Sequence, residues 1–451
     1  MNKSAKHIVV LNIVGLELDH LNSSLLPNIK RIADGGEAAR LKPVFPSVTS
    51  TVQASILSGR PPSEHGIVAN GLFDKINYTP LFWEQSSNLV QTYRVWDIAK
   101  QKSTSSNKIA VLFWQNTMYC KADIVVTPRP LHLNNDMIMW CYSKPTGYYD
   151  DELRVTLGEF NLATYWGPFA SPKSSEWITN ATIYTLKKYS PGLTLAYIPH
   201  IDYSAQRFGK NSTEVKHDLK IADQLVGDIV AATEETGTMD NTQFIILSEY
   251  GFNDVTSSIP LNLKLRDSGL LHTRRIHSKE YIDYELSRAF AMVDHQIAHI
   301  YVKEDSMHDT LSVLENTEGI DFILANEQDK SRLNINNERS GNIIAVAERD
   351  KWFNYYWWHD VEKAPDFAKT VDIHRKPGYD PVELFVDRDT GSIPLDTSLV
   401  KSSHGRPMDP KTGEGAGFYA SNYSSVIEKR NDNYIDCVDV GGYLIKTTSQ
   451  L

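Results

Sequence analysis

Phe45-Pro-Ser-Val-Thr-Ser-Thr-Val-Gln-Ala-Ser-Ile-Leu-Ser-Gly-Arg-Pro-Pro-Ser-Glu-His-Gly-Ile-Val-Ala-Asn70 decides how this 451-residue chain is read. It is a loop that stops, turns and becomes a helix. Pro46 fixes the entry, and Ser47 or Thr49 is placed to cap the helix start. Val52 to Leu57 supply the first apolar turns, and Ser58-Gly59 with Pro61-Pro62 ends them. A hydroxyl at a helix N-terminus sits where free N–H groups and the helix dipole favour an anion, so a phosphorylated Thr49 would be stabilised by the backbone behind it. Serine and threonine caps are common, and an ordinary cap accounts for the hydroxyls taken alone.

Outward from this stretch, short apolar runs alternate with helical spacing. Ile8 to Val14, Lys108 to Trp114, Gly192 to Ile198 and Gln243 to Ser248 are continuous apolar runs, as in strands covered on both faces. Leu26 to Gly36, Val95 to Lys100, Trp177 to Tyr189 and Leu219 to Glu234 have helical spacing. This alternation predicts a parallel sheet with right-handed crossovers, and such sheets bind ligands at the carboxyl ends of their strands. Asp202 and Glu249 stand at two such ends, as does the loop holding Thr49. One site is therefore expected there.

Residues 115–172 are irregular and aromatic, with Pro128, Pro130, Pro145 and Pro168, and read as an insertion or lid over that site. Beyond Gly251, Ala289 to Val302, Gly341 to Ala347 and Trp352 to Trp358 read as strands, and Met307 to Glu315 as a helix. No linker-like tract or internal repeat divides the chain, so residues 1–451 are expected to form one elaborated domain.

Composition narrows the function. Hydrophobic content of 41% with 23% charged residues supports a sizeable core. A formal charge of −10 argues against binding a nucleic-acid polymer, which needs a basic face. No apolar run reaches the length of a membrane span. Ile8 to Leu16 faintly imitates a signal peptide, but Glu17 and Asp19 follow at once without a small-residue cleavage site. Cys120, Cys141 and Cys437 are widely spaced and form no Cys-x-x-Cys pair, which favours a reducing, cytoplasmic location.

The run from Phe45-Pro46 through Thr49 and Ser58-Gly59 to His65-Gly66-Ile67 and Asn70 resembles the nucleophile segment of the nucleotide pyrophosphatase/phosphodiesterase branch of the alkaline phosphatase superfamily. The resemblance implies a three-layer α/β/α fold with a mostly parallel central sheet. Thr49 would be nucleophile and metal ligand, Asn70 a phosphate-oxygen contact, and His65-Gly66 a structural turn. One metal of that family is held by an Asp, a His four residues later and a late His-Gly pair. Asp202 and His404-Gly405 match, but Gln206 stands at the middle position and offers only an amide, as ligand or substrate contact. The second metal is held by an Asp after the first strand, the nucleophile and an Asp-His pair. Here those positions carry Val14, Thr49 and Glu249-Tyr250, so the carboxylate is lengthened and the imidazole lost. Asn12, two residues before Val14 and on the same side of a strand, is a weak substitute.

Replacement ligands are available elsewhere. His295 and His299 are four apart and share one side of either a helix or a strand. Asp372 and His374 sit at period two on one strand face, shortly before His404. Arg375, or Lys376 beside it, is a candidate phosphate clamp, with a surface ion pair as the plainer alternative. The function implied is a metal-dependent hydrolase of phosphodiester or pyrophosphate bonds working through a phospho-threonine. Its cofactor would be one or two divalent ions, zinc or alternatively manganese, and its substrate a small phosphorylated metabolite or nucleotide. The alternatives are a phosphonate hydrolase or phosphoryl transferase of the same superfamily, and an inactive phosphate-ligand-binding homologue with degraded metal sites.

Overall fold

The fold is described from a computed structural model, which covers residues 5–102, 107–133, 137–424, 426–429 and 434–451. In chain order its principal elements are β1 (His7–Ile13), α1 (Pro27–Gly35), β2 (Glu37–Lys42), α2 (Thr49–Ser58), α3 (Val95–Lys102), β3 (Ile109–Leu112), β4 (Ile124–Pro128) and β5 (Cys141–Lys144). There follow α4 (Pro172–Tyr189), β6 (Leu193–Ile198), α5 (His200–Phe208), α6 (Thr213–Glu235) and β7 (Thr242–Ser248). The last part holds β8 (Ala289–Asp294), β9 (Ile297–Val302), β10 (Ile320–Leu324), β11 (Ile343–Ala347), β12 (Gly417–Ser421), β13 (Tyr434–Asp436) and α7 (Cys437–Thr448).

A nine-stranded sheet runs β13-β2-β12-β7-β1-β6-β3-β4-β5. Its centre is parallel: β1 pairs in parallel with both β6 and β7, β6 with β3, and β3 with β4. The apolar runs read from sequence are these central strands. Every residue of β6 and β7 is buried, as expected where helices cover both faces. On one side α2 packs with α7, and α7 with α3; elsewhere α6 packs with α1, α4 and α5. The architecture is α/β, a mostly parallel central sheet packed with helices, as the resemblance implied.

Three expectations are corrected. Neither Ser47 nor Thr49 caps α2: the capping position is Val48, and no side chain closes the end. Ser47 instead donates to the Arg406 carbonyl at 2.9 Å, and the Thr49 hydroxyl meets that of Tyr250 at 2.8 Å. Residues 115–172 are not wholly irregular, because β4 and β5 continue the central sheet to its edge. Ala289 to Val302 is not one strand. It is the antiparallel β8–β9 hairpin of a second, four-stranded sheet ordered β8-β9-β11-β10. Its turn falls at His295-Gln296, with His295 in the left-handed region at φ +59°. Apolar residues on both sides of a two-residue turn look like one continuous strand when only hydropathy is read.

Candidate active site

The ends of β1, β6 and β7, the start of α2 and the β8–β9 turn meet around buried polar side chains. Each arrives for a local reason. Thr49 opens α2, whose far end is closed by Gly59 in the left-handed conformation at φ +62°. Asp202 lies in the first turn of α5, directly after β6. Glu249 and Tyr250 leave the end of β7. His404 follows the short strand Ser402–Ser403, which pairs with Asn253–Asp254 beyond β7.

The His404-Gly405 backbone ties the parts together. Ser47 N–H donates to the Gly405 carbonyl at 3.1 Å and Gln296 N–H to the His404 carbonyl at 2.9 Å. Gly405 adopts φ +115°, and a Cβ there would stand 3.3 Å from the Gln296 nitrogen. A glycine is therefore needed for this segment to thread between the nucleophile loop and the β8–β9 turn. Gln296 anchors that turn from inside, accepting from Asn253 at 2.8 Å and donating to the carbonyls of Arg349 and Lys351 at 2.9 Å each.

Four rings stack across the site. Tyr250 lies on His404 with centroids 3.7 Å apart and planes 14° off parallel. His404 is 3.8 Å from His295, and His295 is stacked on Tyr379 at 3.8 Å. At one end the Tyr250 hydroxyl meets Thr49 Oγ1 at 2.8 Å. At the other, Tyr379 donates to Gln206 Oε1 at 2.8 Å, and Gln206 Nε2 donates to Asp202 Oδ2 at 2.7 Å. Gln206, where the resemblance implied a ligating imidazole, thus orients Asp202.

The protonation of both imidazoles follows from their partners. His404 Nδ1 is 2.7 Å from the Ser47 carbonyl, which can only accept, so Nδ1 carries the proton. His295 Nδ1 likewise faces Asp294 Oδ1 at 2.7 Å. Burial holds both rings well below the usual histidine range, so both are neutral. Their Nε2 atoms are then bare lone pairs, buried and without a hydrogen-bond partner, as is Asp202 Oδ1. His404 Nε2 and Asp202 Oδ1 are 3.9 Å apart.

Three carboxyl groups are sunk here without a lysine or arginine among their hydrogen-bond partners. Burial raises Asp202 to about 7 against the opposing Gln206 hydrogen bond. It raises Glu249 to about 8 against those from Gln53 and Asn12, and Asp294 to about 6 against the Asn70 backbone. Glu249 Oε1 accepts from Asn12 Nδ2 at 2.5 Å and from Gln53 Nε2 at 2.6 Å, while Oε2 makes no hydrogen bond. Asn70 is also committed: its Oδ1 accepts from Ser50 N–H at 2.9 Å and its Nδ2 donates to Asp294 Oδ1 at 3.1 Å.

The sign of one pH effect follows. Glu249 in the folded chain titrates near 8, above its ordinary 4.5, so the fold holds the proton. That contribution to stability is complete below the ordinary value and is lost as pH rises through the folded one. In chelator-treated protein, the melting temperature of wild type relative to Glu249→Gln should therefore fall as pH rises between about 4.5 and about 8. Parallel melting curves for the two proteins across that window would show that Glu249 is not held in this state.

Other candidate residues are used differently. His299 on β9 bonds the Val68 carbonyl through Nε2 at 3.1 Å and accepts from Gly341 N–H at Nδ1, so both nitrogens are engaged in the core. Asp372 binds Arg375 Nε at 2.5 Å, and Arg375 also pairs with Asp366 at 2.8 Å; Arg375 is exposed, as the surface-ion-pair alternative has it. His374 is exposed and its Nδ1 bonds the Phe82 carbonyl. Asp372 and His374 lie in a turn rather than on a strand. Lys376 is buried between Asp380 at 2.8 Å and Glu383 at 2.6 Å, while Trp166 donates to Glu383 at 2.7 Å. This ion group pins the segment that carries Tyr379; removing one partner alone would cost roughly 3–5 kcal/mol. His65 is structural, bonding Ser55 Oγ at 2.8 Å and accepting from Ile67 N–H.

Sequence reasoning missed Tyr379, Asp294 and Gln53 as parts of this site. Gln53 lies one turn after Thr49, a helical spacing that places both on one face and could have flagged it. Nothing local singles out Tyr379.

The residues fit one cation and not two. Among the described residues, no three or more His, Cys, Asp and Glu side chains stand as a ready-made metal-ion group. Yet Asp202 Oδ1 and His404 Nε2 are within reach of a single ion with bonds of about 2.0–2.2 Å, and His295, whose ring lies 3.8 Å from that of His404, keeps its Nε2 without a partner. Both rings have their other nitrogen fixed by an acceptor, the arrangement usual for ligating histidines. The second set does not fit: Val14 is aliphatic, Glu249 Oε1 is filled by two amides, and Tyr250 offers a protonated phenol.

Thr49 at a helix start, Tyr250 on His404 and the buried carboxyls of Asp202 and Glu249 thus stand together at the parallel strand ends. The family model for type I phosphodiesterase / nucleotide pyrophosphatase matches residues 8–380, and the chain belongs to that family. Among curated relatives, the bis(5'-adenosyl)-triphosphatase enpp4 of Mus musculus is 25% identical, over 55% of this chain and 48% of its own length. An uncharacterized pyrophosphatase/phosphodiesterase of Schizosaccharomyces pombe is 23% identical over 54% of this chain and 44% of its own. The chain thus spans less than half the length of these relatives. Murine ectonucleotide pyrophosphatase / phosphodiesterase 5, in an inactive form with AMP, superposes with a TM-score of 0.63 at 14% identity, covering 98% of this chain and 95% of that one. Phosphonoacetate hydrolase from Sinorhizobium meliloti 1021, with phosphonoacetate, gives 0.66 at 15% identity, covering 99% and 97%. At such identities these two likenesses concern the fold.

Proposed function

We propose that this chain hydrolyses a phosphodiester or pyrophosphate bond of a small, nucleotide-like substrate, with Thr49 as nucleophile. The observation that carries the reading is the convergence of buried carboxylates and two bare imidazole nitrogens, joined to Thr49 through the Tyr250 ring on His404, with no lysine or arginine among their hydrogen-bond partners. Such unpaired buried groups are costly unless a ligand completes them. Asp202, His295 and His404 would hold one divalent cation, zinc or alternatively manganese. When bound, that ion supplies charge neutralisation for the phosphoryl oxygens. Thr49 attacks phosphorus, the bond to the leaving oxygen breaks, and water later cleaves the phospho-threonine. Asn70, beside Ser50 and Asp294, is placed to exchange its amide hydrogen bond for one to a phosphoryl oxygen.

Family membership supports the reaction class, and the AMP and phosphonoacetate complexes of the two structural neighbours support a small ligand. The three cysteines are free and buried, which supports a reducing, cytoplasmic setting. The charge of −10 supports a small substrate over a nucleic-acid polymer. No described helix is long and apolar enough to cross a membrane.

The test compares bis-(p-nitrophenyl) phosphate, p-nitrophenyl phosphate and phosphonoacetate side by side with added zinc or manganese. Lys376 and Arg375, the candidate phosphate clamps, are already paired, so neither is set aside for the third oxygen of a monoester. The diester should be turned over fastest. Preference for the monoester would overturn the diesterase assignment, preference for phosphonoacetate would move the reaction to C–P cleavage, and no turnover of any would leave a binding protein.

A further inference from the structure

Asp202 and His295 stand on different elements, one in the first turn of α5 and the other in the β8–β9 turn. A single buried side chain reaches the supports of both. Tyr379 lays its ring on His295, with centroids 3.8 Å apart and planes 19° off parallel, and its hydroxyl meets Gln206 Oε1 at 2.8 Å. Gln206 in turn spends Nε2 on Asp202 Oδ2 at 2.7 Å, which leaves Oδ1 as the open atom of that carboxyl. We propose that Tyr379 is the positioning residue of the cation site: its hydroxyl sets Asp202 through Gln206, and its ring sets His295. This rests on Asp202, His295 and His404 holding one cation, as proposed above.

The direction of the link follows from what each atom can do. A carboxylate that holds a cation only accepts, so the Gln206 amide must turn Nε2 toward Asp202. Its Oε1 then faces the other way, and Tyr379 is the donor to it. Without that phenol the Gln206 carbonyl would be buried and unpaired, and the amide would be free to turn away from Asp202. The ring has a separate task. Asp294 holds His295 Nδ1 within the imidazole plane, and the Tyr379 face stops the imidazole from tilting out of it.

Tyr379 is itself fixed on several sides, as a positioning group must be. Its N–H donates to the Val293 carbonyl at 3.0 Å, and Val293 N–H donates to that of Pro377 at 3.2 Å. Val293 lies on β8 just before His295, so the tyrosine is hooked to the strand that delivers the ring it stacks on. Gly378 permits this approach: a Cβ there would stand 3.0 Å from the Val293 carbonyl oxygen and overlap the Val293 side chain. From the insertion, the Trp166 ring lies 5.4 Å from that of Tyr379, and Trp166 donates to Glu383 in the ion group that pins this loop.

The test measures zinc affinity of the whole chain by competition with a chelating dye, with melting curves of the metal-free proteins alongside. The samples are wild type, Tyr379→Phe, Gln206→Met, their double variant, Tyr379→Leu and His404→Ala. Phenylalanine keeps the ring on His295 and removes only the hydroxyl, so affinity should fall about 10-fold. Gln206→Met should cost a similar factor, and adding Tyr379→Phe to it should cost nothing further, because both break one link. Tyr379→Leu removes the ring as well and should cost about 10²-fold. With cobalt(II) in place of zinc, the visible absorption should shift in the same way in Tyr379→Phe and Gln206→Met, which a loss of packing alone would not produce. If Tyr379→Leu fails to fold, the cycle of Tyr379→Phe and Gln206→Met decides by itself. Wild-type affinity in Tyr379→Phe, or losses that simply add in the double variant, would overturn this inference and leave the cation site standing. A wild-type chain that binds neither zinc nor cobalt, or binding unchanged by His404→Ala, would overturn the cation reading and this inference with it.

Discussion

Thr49→Ala is expected to lower kcat on bis-(p-nitrophenyl) phosphate by more than about 10³-fold while leaving a folded protein. Removing an attacking group removes the covalent route, and what survives comes from binding and electrostatics alone. The structure makes this a clean experiment. Thr49 does not cap α2, since Val48 occupies that position, so alanine leaves the helix end as it was. Alanine also has the better helix propensity. The structural cost is one orphaned Tyr250 hydroxyl, about 1–3 kcal/mol, which a chain of this size tolerates. Thr49→Ser keeps the hydroxyl and should keep part of the turnover, with less than wild type because serine adds a rotamer freedom that threonine lacks. Turnover of the alanine variant within tenfold of wild type, at unchanged melting temperature, would remove Thr49 from the mechanism.

The second large effect is on metal retention. His404→Ala and His295→Ala should each weaken zinc binding by at least about 10²-fold, because each deletes an open lone pair whose ring is already oriented by an acceptor. Asp202→Asn should do the same by removing the charge. His299→Ala and His374→Ala are the controls. His299 has both nitrogens engaged in the core and should cost stability without altering zinc per chain. His374, exposed and bonded to the Phe82 carbonyl, should change neither strongly. Added zinc should also raise the melting temperature of wild type, since an ion that binds only the folded chain stabilises it. It should do so far less for the His404 and His295 variants. Elemental analysis after dialysis and melting curves decide the matter; wild-type zinc retention in both variants would place the ion elsewhere.

Much of this molecule is written locally. The apolar runs of β1, β3, β6 and β7 announce buried parallel strands because only strands covered on both faces lose their polar alternation. The Thr49 loop, Asp202 and Glu249 could be placed at one end of that sheet because right-handed crossovers put every βα junction on the same edge. His65-Gly66 reads as a turn for a local reason too, glycine being free to take φ +72°.

Which side chains have atoms to spare is not local. His295 and His299 are equivalent by spacing, four apart on any regular element. They part company because the β8–β9 turn falls at His295, held in the left-handed region by Gln296 and by the His404 backbone more than a hundred residues on. His299 stays in the strand and spends both nitrogens on Val68 and Gly341. Asp372 and His374 look like a ligand pair until the turn they occupy commits Asp372 to Arg375. Tyr379 enters the site only because the Lys376, Asp380 and Glu383 ion group fixes its loop along β8. A sequence states which atoms could bind a proton, a metal or a phosphate. Whether each is free depends on partners that can lie as far off as Arg406 does from Ser47, 359 residues along the chain. Those pairings exist only once the sheet, the hairpin and the His404 segment have closed on one another.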